Sequence, residues 1–533
     1  MDCTVFILTI SASFFVLFLR CLNFLRKTIV IRRSWKRLPG APRSFFNGNL
    51  GNLVPLVPPD RHLDYGLYAI WKGLGRPKWF LVDLWPRQLP LICIADPKIA
   101  EQLTRATADE PESTPKMSVP ECLRILIGAT SVSTAQGQEW QHVRQRINPF
   151  FRPNVIYSAL GRIVDHTDVF VDRLLVAARA EADVRLGDLL ADLATDVISS
   201  CVVAHEMGCQ TSADGEREKG PNGLFTCLRD SVAIQPQFFG SGLSASVRRV
   251  LAKRKLKHYQ RTLNIRIASI IQQDTKAGFA AKFIGSEPWT PSLLRQCVDQ
   301  FKTLILAGQD TTACALQWCF FYLWKHPEVL WKLRCEHDVV LGTDRENASA
   351  RLREEPQLLQ RLPYTTAVIK ETLRLRGISG TTRELAKEVL IDADGEKVPL
   401  ETGAICYVNN FLLMKNPEYW GMDAEDFRPS RFLEDWENSK EAGGGGLDQQ
   451  SPRMRHIAYR PFERGPRNCI GQELSMLEMR IVLVLTVRRF NFFKRGLDGV
   501  HEEEVYDISR VVHSPVDRMK MRFEERTDES NTG

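Results

Sequence analysis

The sequence predicts a mainly α protein with small β-sheets, preceded by one N-terminal transmembrane helix. Three observations lead to this prediction: long stretches repeat apolar residues at helical spacing, strand-like runs are few and short, and no linker or internal repeat divides the chain. With 44% hydrophobic and 25% charged residues over 533 positions, the chain can bury a large core. We therefore expect one large globular unit rather than several small domains.

Charge and cysteine usage exclude some classes of protein. The net charge is +7, from 71 basic and 64 acidic residues, and part of the excess lies near the N-terminus. This mild balance gives little support for nucleic-acid binding. Thirteen cysteines without C-x-x-C pairs or zinc-type spacing are typical of buried thiols in a reducing compartment.

The first 25 residues predict a membrane anchor. Residues 3–19 carry no charge over 17 positions, which as a helix would cover roughly 26 Å of a hydrocarbon core about 30 Å thick. A cleavable signal peptide is the alternative, but Asp2 stands where a basic start is needed and no A-x-A-like site follows. The positive-inside rule keeps the rest of the chain cytoplasmic, because seven basic residues follow the apolar run: Arg20, Arg26, Lys27, Arg32, Arg33, Lys36 and Arg37.

A basic and proline-rich hinge is predicted over residues 26–43. Pro39 and Pro42 cannot continue a helix, so they should form a stiff turn between anchor and body. We expect the globular body over residues 44–523 and a polar disordered tail over residues 524–533.

Within the body, two short strands are followed by long helices. The runs at 78–84 and 90–95 predict a strand pair, after which Asp96 and Pro97 cap and open a helix. Apolar spacing predicts helices around 139–148, 155–178, 185–205, 292–325, 327–341, 363–376 and 470–488. The polar, glycine-rich segments 211–223 and 441–452 predict mobile loops. The four-glycine run has no preceding strand and no following Lys-Ser/Thr, which disfavours a nucleotide-binding loop.

The stretch RPFERGPRNCIGQEL, residues 460–474, places one cysteine in a loop just before a helical pattern. Gly465 and Gly471 permit close backbone approach, and the helix N-terminus after Cys469 favours a thiolate. Such a thiolate is either a nucleophile or a metal ligand. The ten histidines show no motif that would supply a base for a nucleophile, whereas a single soft sulfur ligand suits haem iron.

Five residues of this stretch match the F-x-x-G-x-R-x-C-x-G haem-binding loop of cytochromes P-450: Phe462, Gly465, Arg467, Cys469 and Gly471. The chain resembles that family over nearly its whole length. The resemblance implies a triangular prism of helices around a buried haem b (iron protoporphyrin IX). It also implies that Cys469 is the axial iron ligand, with Phe462, Arg467 and Gly471 binding the cofactor.

The hexapeptide AGQDTT, residues 307–312, lies in the longest helical pattern and is similar to the family's oxygen-binding stretch. Gly308 should weaken the helix, and the Thr311 hydroxyl can bond a carbonyl one turn back. We therefore expect the backbone hydrogen bonds of the helix to open here. Asp310 and Thr311 resemble the acid and alcohol that relay protons in the family. An ordinary polar patch on a helix is the alternative for this segment alone.

Glu371 and Arg374 lie three residues apart on one predicted helix face, a spacing that is common at protein surfaces. The segment DFRPSRFL, residues 426–433, resembles the family's P-x-R-F and would bring Arg431 to them. The resemblance implies a buried structural cluster of these three residues that holds the cysteine loop.

Trp140 and Arg144 match the family's W-x-x-x-R, which lies beside the haem. Two buried propionates need fixed cations, and Arg144, Arg383 and Arg467 are the candidates, with Trp140 in support. The segment before Arg383 departs from the family, because Arg376 and Gly377 stand where an aromatic residue and prolines are common.

Together these patterns predict a membrane-anchored haem-thiolate monooxygenase of the endoplasmic reticulum, with its catalytic domain in the cytoplasm. No flavin or nicotinamide module was recognised, so NADPH-cytochrome reductase is the expected electron donor, with cytochrome b5 as a second candidate. On the cysteine side the sequence places an arginine cluster that either steers an acidic partner or forms an ordinary solvated face: Arg453, Arg455, Arg460, Arg464 and Arg467.

The substrate is expected to be a hydrophobic small molecule. The family's cavity-lining segments should fall near residues 113–127, 205–245, 303–307, 378–382 and 509–513, most of which are apolar. The C-terminal stretch resembles filamentous-fungal members, many of them in secondary-metabolite pathways, and Asp310 disfavours a sterol demethylase. The alternatives are a fatty-acid or alkane hydroxylase, a haem-thiolate isomerase or dehydratase that needs no reductase, and a haem-binding sensor.

Overall fold

The computed structural model describes residue 15 and residues 18–527, apart from some single positions and short segments. These lie at positions 27, 31, 34, 379, 394 and 401 and over 36–37, 45–47, 58–60, 85–89, 212–222, 239–242, 274–277, 434–451, 497–504 and 510–512. Residues 1–14, 16–17 and 528–533 are also outside the described part. Both predicted glycine-rich loops therefore fall almost entirely outside it.

The described chain is mainly α-helical, as predicted. In chain order the helices are α1 (Leu50–Leu53), α2 (Leu63–Gly73), α3 (Pro97–Thr104), α4 (Glu121–Ile127), α5 (Gly137–Ile147), α6 (Pro153–Ser158), α7 (Leu160–Arg179), α8 (Leu186–Cys201), α9 (Leu224–Ala233), α10 (Leu243–Gln273), α11 (Phe279–Ile284), α12 (Pro291–Lys325), α13 (Pro327–Leu341), α14 (Ala348–Glu354), α15 (Pro363–Leu375), α16 (Asn410–Leu413), α17 (Pro417–Trp420), α18 (Pro452–Ala458) and α19 (Gln472–Val487). Short 3-10 turns lie at Val54–Leu56, Asn148–Phe151, Gln235–Phe238, Pro356–Arg361 and Pro429–Phe432.

The strands form four small sheets. They are β1 (Trp79–Val82), β2 (Leu91–Ile94), β3 (Asp183–Arg185), β4 (Thr381–Glu384), β5 (Val389–Ala393), β6 (Glu396–Leu400), β7 (Ile405–Val408), β8 (Phe490–Lys494), β9 (Asp507–Ser509), β10 (His513–Pro515) and β11 (Lys520–Glu525). The largest sheet has the order β1-β2-β7-β4, in which only β2 and β7 run parallel. A second sheet has the order β3-β11-β8, and β5-β6 and β9-β10 are hairpins.

All seven predicted helices are present, with small shifts at their ends. The helix expected over 155–178 is divided at Ala159 into α6 and α7. The predicted strand pair corresponds to β1 and β2. As predicted, Asp96 caps the next helix, since its carboxylate accepts a bond from the N–H of Ile99, and Pro97 occupies the first position.

The predicted hinge packs against the body instead of standing apart from it. Trp35 is buried in an apolar cluster with β1 and β2, and Arg32 pairs with the Asp83 carboxylate at 2.9 Å. The backbone at Gly40 forms a bridge with Leu81, and the Pro39 carbonyl accepts the Leu81 N–H at 2.7 Å, so this segment pairs with the edge strand β1. The globular body thus begins before residue 44.

The N-terminal anchor falls largely outside the described residues. Residues 18–26 are helical, and among the described helices none is both long and apolar enough to cross a membrane. At the other end, β11 continues to Glu525, two residues into the segment that the sequence predicts as a disordered tail.

The longest described helix, α12, runs through the centre of the main apolar core and is buried over most of its length. It packs closely along α8. A Cβ at Gly308 would lie 2.8 Å from Cγ1 of Ile198, so the absence of a side chain lets the two helices approach. This packing fixes the segment 307–312 in the middle of the molecule.

Candidate active site

A cavity of about 310 Å³ lies between α12 and the loop that precedes α19. Its wall carries Cys469, Thr311 and the predicted cofactor residues Trp140, Arg144, Phe462, Arg467 and Gly471. Residues from three of the five predicted lining segments also reach it, namely Lys116, Thr303, Leu304, Ala307, Ile378, Gly380 and Thr381. The structure thus brings the cysteine loop and the AGQDTT segment to one cavity.

The cysteine loop is folded tightly against α3. Gly465 has a φ of +81°, and a Cβ there would lie 1.9 Å from the carbonyl oxygen of Thr104. A side chain at this position would therefore be both strained and in collision with backbone. The loop is closed by a bond from the N–H of Cys469 to the carbonyl of Phe462 at 2.8 Å. Gly471, with a φ of −86° at the start of α19, makes only ordinary contact with Phe151.

The Cys469 thiol presents its exposed surface to the cavity. Desolvation raises the pKa of this thiol, while the Gly471 amide and the cations Arg144 and Lys116 act in the opposite direction. No other cysteine within the described ranges lines this cavity. Its surroundings therefore combine an apolar enclosure with the groups that stabilise a bound thiolate.

Two predicted cations lie next to the thiol but already have protein partners. Arg144 donates to the carbonyl and to the side-chain oxygen of Asn468 at 3.1 and 3.0 Å. Arg467 lies over the Trp140 ring at 4.6 Å and pairs with the Glu112 carboxylate at 2.6 Å. Both guanidinium groups are held in place by these contacts.

Arg383 is the cation whose bonding capacity is least satisfied. Strand β4 turns it inward, where it is fully buried and donates to the Ser113 hydroxyl and the Thr114 carbonyl, both at 2.9 Å. Its Nε and Nη2 atoms are buried without a partner in the described part of the protein. Burial lowers the pKa of Arg383 to about 10. Buried unpaired donors are costly, so these two atoms point to a missing acceptor.

Lys116 is a fourth cation that the sequence analysis did not single out. Its segment pairs with β4 through the backbone. The Met117 N–H donates to the Thr382 carbonyl, and Lys116 and Arg383 form an antiparallel β-bridge. Burial, with Arg383 and Arg467 as further causes, lowers the pKa of Lys116 to about 8. Only this pairing across the sheet places it here, and no local sequence motif marks it.

The donor set fits a haem. Three cationic side chains line the cavity, namely Lys116, Arg144 and Arg467, and the Glu112 carboxylate neutralises the last of them. Arg383 is not in the cavity wall but forms a backbone bridge with Lys116. Of the two carboxyl groups in the wall, Glu463 pairs with Arg460, and burial raises the pKa of Glu478 to about 8. The remaining excess of positive charge, with two unpaired donors on Arg383, suits the two carboxylates of that group. The Cys469 thiol in the same wall would supply the metal ligand.

Helix α12 is continuous through residues 307–312, so the opening expected at Gly308 is not present. The Thr311 hydroxyl bonds the Ala307 carbonyl at 2.8 Å, as expected, but the helix keeps its shape. The glycine is explained by the close approach of α8, which supports the helix from behind. Thr311 faces the cavity beside Cys469.

Asp310 faces a different space. A second cavity of about 660 Å³ lies on the other side of α12, and Gln309, Asp310 and Gln317 line it. Residues from the predicted lining segment 205–245 reach this second cavity and not the first, as do Ile508 and Ser514 beside the segment 509–513. Adjacent residues 310 and 311 therefore contact two separate cavities.

The predicted structural cluster is assembled. Glu371 bonds Arg374 at 2.7 Å and Arg431 at 3.0 Å, and all three side chains are buried. Arg374 also donates to the carbonyls of Met414 and Ala424, both at 2.7 Å. The cluster thus fixes the backbone of the segment 414–431.

This segment is tied to the cysteine loop through α16. The Asn410 side chain donates to the Arg460 carbonyl at 3.0 Å, where the loop begins. The Glu371 cluster therefore supports the cysteine loop indirectly, through the backbone that it orders.

The arginine cluster predicted as a docking surface is partly wrong. Arg460 is fully buried and bonds Glu101 and Glu463, and Arg467 pairs with Glu112. These two guanidinium groups hold the loop from inside. Arg464 remains partly exposed and pairs with Glu101 at 3.3 Å, while the Arg453 side chain lies outside the described residues.

Comparison with known proteins gives consistent matches. The family model described as Cytochrome P450 matches residues 80–509, which include every residue that lines the cavity at Cys469. The chain is 30% identical over 453 residues to the cytochrome P450 monooxygenase acrF of Aspergillus aculeatus, covering 82% of this chain and 88% of that protein. It is 28% identical to polC of Polytolypa hystricis, covering 94% and 92%, and 23% identical to ptmJ of Penicillium ochrochloron, covering 88% and 87%. Both of these are also named cytochrome P450 monooxygenases.

Proposed function

The chain belongs to the cytochrome P450 family and is a monooxygenase, and from this premise we propose that it oxidises a hydrophobic small molecule with dioxygen and electrons from a separate NADPH-cytochrome reductase. The observation that carries the proposal is the Cys469 thiol, which faces a cavity shared with Thr311 and three cations, Lys116, Arg144 and Arg467. The test is an assay with added reductase, in which an oxygenated product must depend on both reductase and NADPH.

We propose haem b as the cofactor. Cys469 would ligate the iron, and its loop would be held by the Gly465 turn and the Arg144 contact to Asn468. The two propionates would be neutralised by three cations of the cavity wall, Lys116, Arg144 and Arg467, and by Arg383, which lies next to Lys116 outside the wall and has two unpaired donors. When bound, a thiolate-ligated haem supplies the activation of dioxygen.

The chain's own part in the reaction is to deliver protons and exclude bulk water. Asp310 lines the larger cavity and is adjacent to Thr311, whose hydroxyl faces the smaller one. For a proton to pass from Asp310 to the Thr311 hydroxyl, the Asp310 side chain would turn toward the smaller cavity and the hydroxyl would release the Ala307 carbonyl. In this proposal the two residues would link the larger cavity to the smaller one across an intact helix.

We predict that Thr311→Ala uncouples the reaction. The alanine variant lacks the hydroxyl that orders the proton path, so product formed per NADPH should fall by about tenfold or more. The missing reducing equivalents should appear as hydrogen peroxide. Haem content should remain near that of the parent, because Thr311 donates only to the Ala307 carbonyl.

Thr366→Ala is the matched control, since this hydroxyl likewise bonds a carbonyl one helical turn back, that of Leu362 at 3.0 Å, and Thr366 lines neither cavity. Asp310→Asn should slow turnover with less peroxide release than Thr311→Ala. Unchanged product and peroxide yields in both the Thr311 and the Asp310 variants would remove the relay assignment. Product from an added hydroperoxide, without reductase or NADPH, would favour an isomerase.

The substrate is proposed to be an apolar compound of a fungal secondary-metabolite pathway. The described cavity wall above the cysteine loop includes Val132, Leu304, Ala307 and Ile378, which favour an apolar molecule. The fungal origin of the three relatives supports the choice of pathway class. Substrate-induced difference spectra against a compound panel would identify the class.

For location, we propose a single-pass anchor in the endoplasmic reticulum membrane with the catalytic domain in the cytoplasm. Asn347 begins the sequon NAS and is exposed before α14, so a domain in the lumen could be glycosylated there. We predict that Asn347 stays unmodified in a eukaryotic host. A glycosidase-sensitive mass shift in the parent protein that is absent in Asn347→Gln would show that the catalytic domain lies in the lumen.

A further inference from the structure

We propose that Arg376 is a positioning residue that fixes one wall of the substrate cavity by binding the C-terminal β9-β10 hairpin. The inference rests on the proposed function, since it assigns to this cavity the binding of the organic substrate. Arg376 follows the last residue of α15 and precedes Ile378, which lines the cavity with Cys469.

The Arg376 guanidinium contacts four side chains. Its Nε donates to the Tyr322 hydroxyl at 3.1 Å, and its Nη1 donates to the Tyr65 hydroxyl at 3.0 Å. The same Nη1 lies 3.4 Å from the Asp507 carboxylate. Its carbon Cζ stacks 3.9 Å from the centre of the Trp318 ring. One cation therefore joins α2, α12 and β9 at the end of α15.

Asp507 is the part of this network that belongs to the hairpin. It is 1% exposed, and its second oxygen accepts a bond from the Trp318 indole N–H at 3.0 Å. Its backbone carbonyl accepts the N–H of His62 at 3.0 Å. A buried carboxylate needs such partners, so the hairpin's first strand is anchored where Arg376 and Trp318 meet.

The hairpin is joined to the cavity wall by its other strand. Pro515 lies opposite Asp507 and His513 opposite Ser509 in the β9-β10 register. The N–H of His513 donates to the Ile378 carbonyl at 3.2 Å. Arg376 thus holds Ile378 in two ways. It is connected to Ile378 covalently through Gly377, and it anchors the hairpin whose His513 N–H bonds the Ile378 carbonyl.

Only an arginine satisfies all of these contacts at once. A planar guanidinium can bond two hydroxyls and a carboxylate in its plane while its face rests on an indole. A lysine retains the charge but offers a single nitrogen, and an apolar residue leaves Asp507 without a cation. Loss of the contacts should let Ile378 and the hairpin shift relative to Cys469 while the cysteine loop, held by other groups, stays in place.

The test compares two nitrogenous ligands of the haem iron in the holoenzyme. Imidazole is small and samples mainly the iron, whereas the bulky azole clotrimazole also contacts the cavity wall. For Arg376→Met we expect the Kd of clotrimazole to rise about tenfold while the Kd of imidazole stays within about twofold of the parent. Arg376→Lys should give an intermediate Kd for clotrimazole. Asp507→Asn should also raise the Kd of clotrimazole.

Arg353→Met is the matched control, because Arg353 binds two carboxylates, Asp165 and Asp168, at a site that is 38% exposed and not part of the cavity wall. This variant should leave both constants unchanged. If Arg376→Met does not accumulate with haem, the proposal is tested on Arg376→Lys and Asp507→Asn, by the ratio of the Kd of clotrimazole to the Kd of imidazole.

A ratio of the two constants within twofold of the parent in every haem-loaded Arg376 and Asp507 variant would overturn the proposal. So would an equal change of both constants, which indicates a general loss of structure. Failure of the proposed function is distinguishable, since it would appear in the parent protein as absence of thiolate-ligated haem or of NADPH-dependent product.

Discussion

Cys469→Ser is expected to abolish the red-shifted Soret band of the reduced carbon monoxide complex, together with all NADPH-dependent product formation. A thiolate donates electron density to haem iron, whereas a serine oxygen is a harder and poorer ligand. The substitution removes one sulfur atom from a loop whose folding rests on Gly465 and on the bond from residue 469 N–H to Phe462. We therefore expect a folded protein that has lost its spectral signature, measured at equal protein concentration.

Cys335→Ser is the control for this prediction. Cys335 lies on α13 with intermediate exposure and is remote from the cavity lining. Its variant should keep the parent spectrum and the parent turnover. Retention of the red-shifted band in Cys469→Ser would assign the iron ligand to another cysteine and remove the basis of the site.

Glu371→Gln is expected to have the largest effect on stability. Glu371 is fully buried and its carboxylate pairs with two arginines, so the glutamine variant leaves Arg374 without a counter-charge and Arg431 with Asp423 alone. Breaking a buried, hydrogen-bonded ionic group in this way costs about 3 to 5 kcal/mol. That is a large part of the roughly 5 to 15 kcal/mol that stabilises a typical domain. We expect little or no haem-loaded protein.

A matched carboxylate allows the comparison. Glu355 pairs with Arg351 at 3.3 Å across one helical turn but is 46% exposed, and such pairs contribute only about 0.3 to 0.5 kcal/mol. Glu355→Gln should therefore unfold at nearly the parent temperature. Equal thermal stability and equal haem content in the two glutamine variants would show that the Glu371 cluster is dispensable.

The long helices were predictable because their apolar residues repeat at one spacing. The ends predicted for α12 and α13 lie within one residue of the observed ends, because Pro291 and Pro327 mark where the two helices start. Helix α10 was not predicted, although its buried residues Leu256 and Leu263 also follow helical spacing. Exposed apolar residues on its other face, such as Val250 and Leu251, blur the pattern.

The site was predictable where a local motif carries it and not where the fold assembles it. The cysteine loop and Thr311 are marked by their neighbours in sequence. Lys116 reaches the cavity only because its segment pairs with β4, and Asp507 meets Arg376 across 131 residues of chain. The burial of Arg460 could not be predicted for the same reason, because its partner Glu101 lies on α3, far away in sequence. Contacts of this kind depend on tertiary packing.

The central claim is that this protein transfers one atom of dioxygen to an organic substrate. The most direct test uses isotopically labelled dioxygen in the reductase-reconstituted assay, with a compound that gives a substrate-induced difference spectrum, and mass spectrometry of the product. We predict one labelled oxygen atom per product molecule, dependent on NADPH and absent in Cys469→Ser. Product without label, or product formed equally well without NADPH and reductase, would contradict the account.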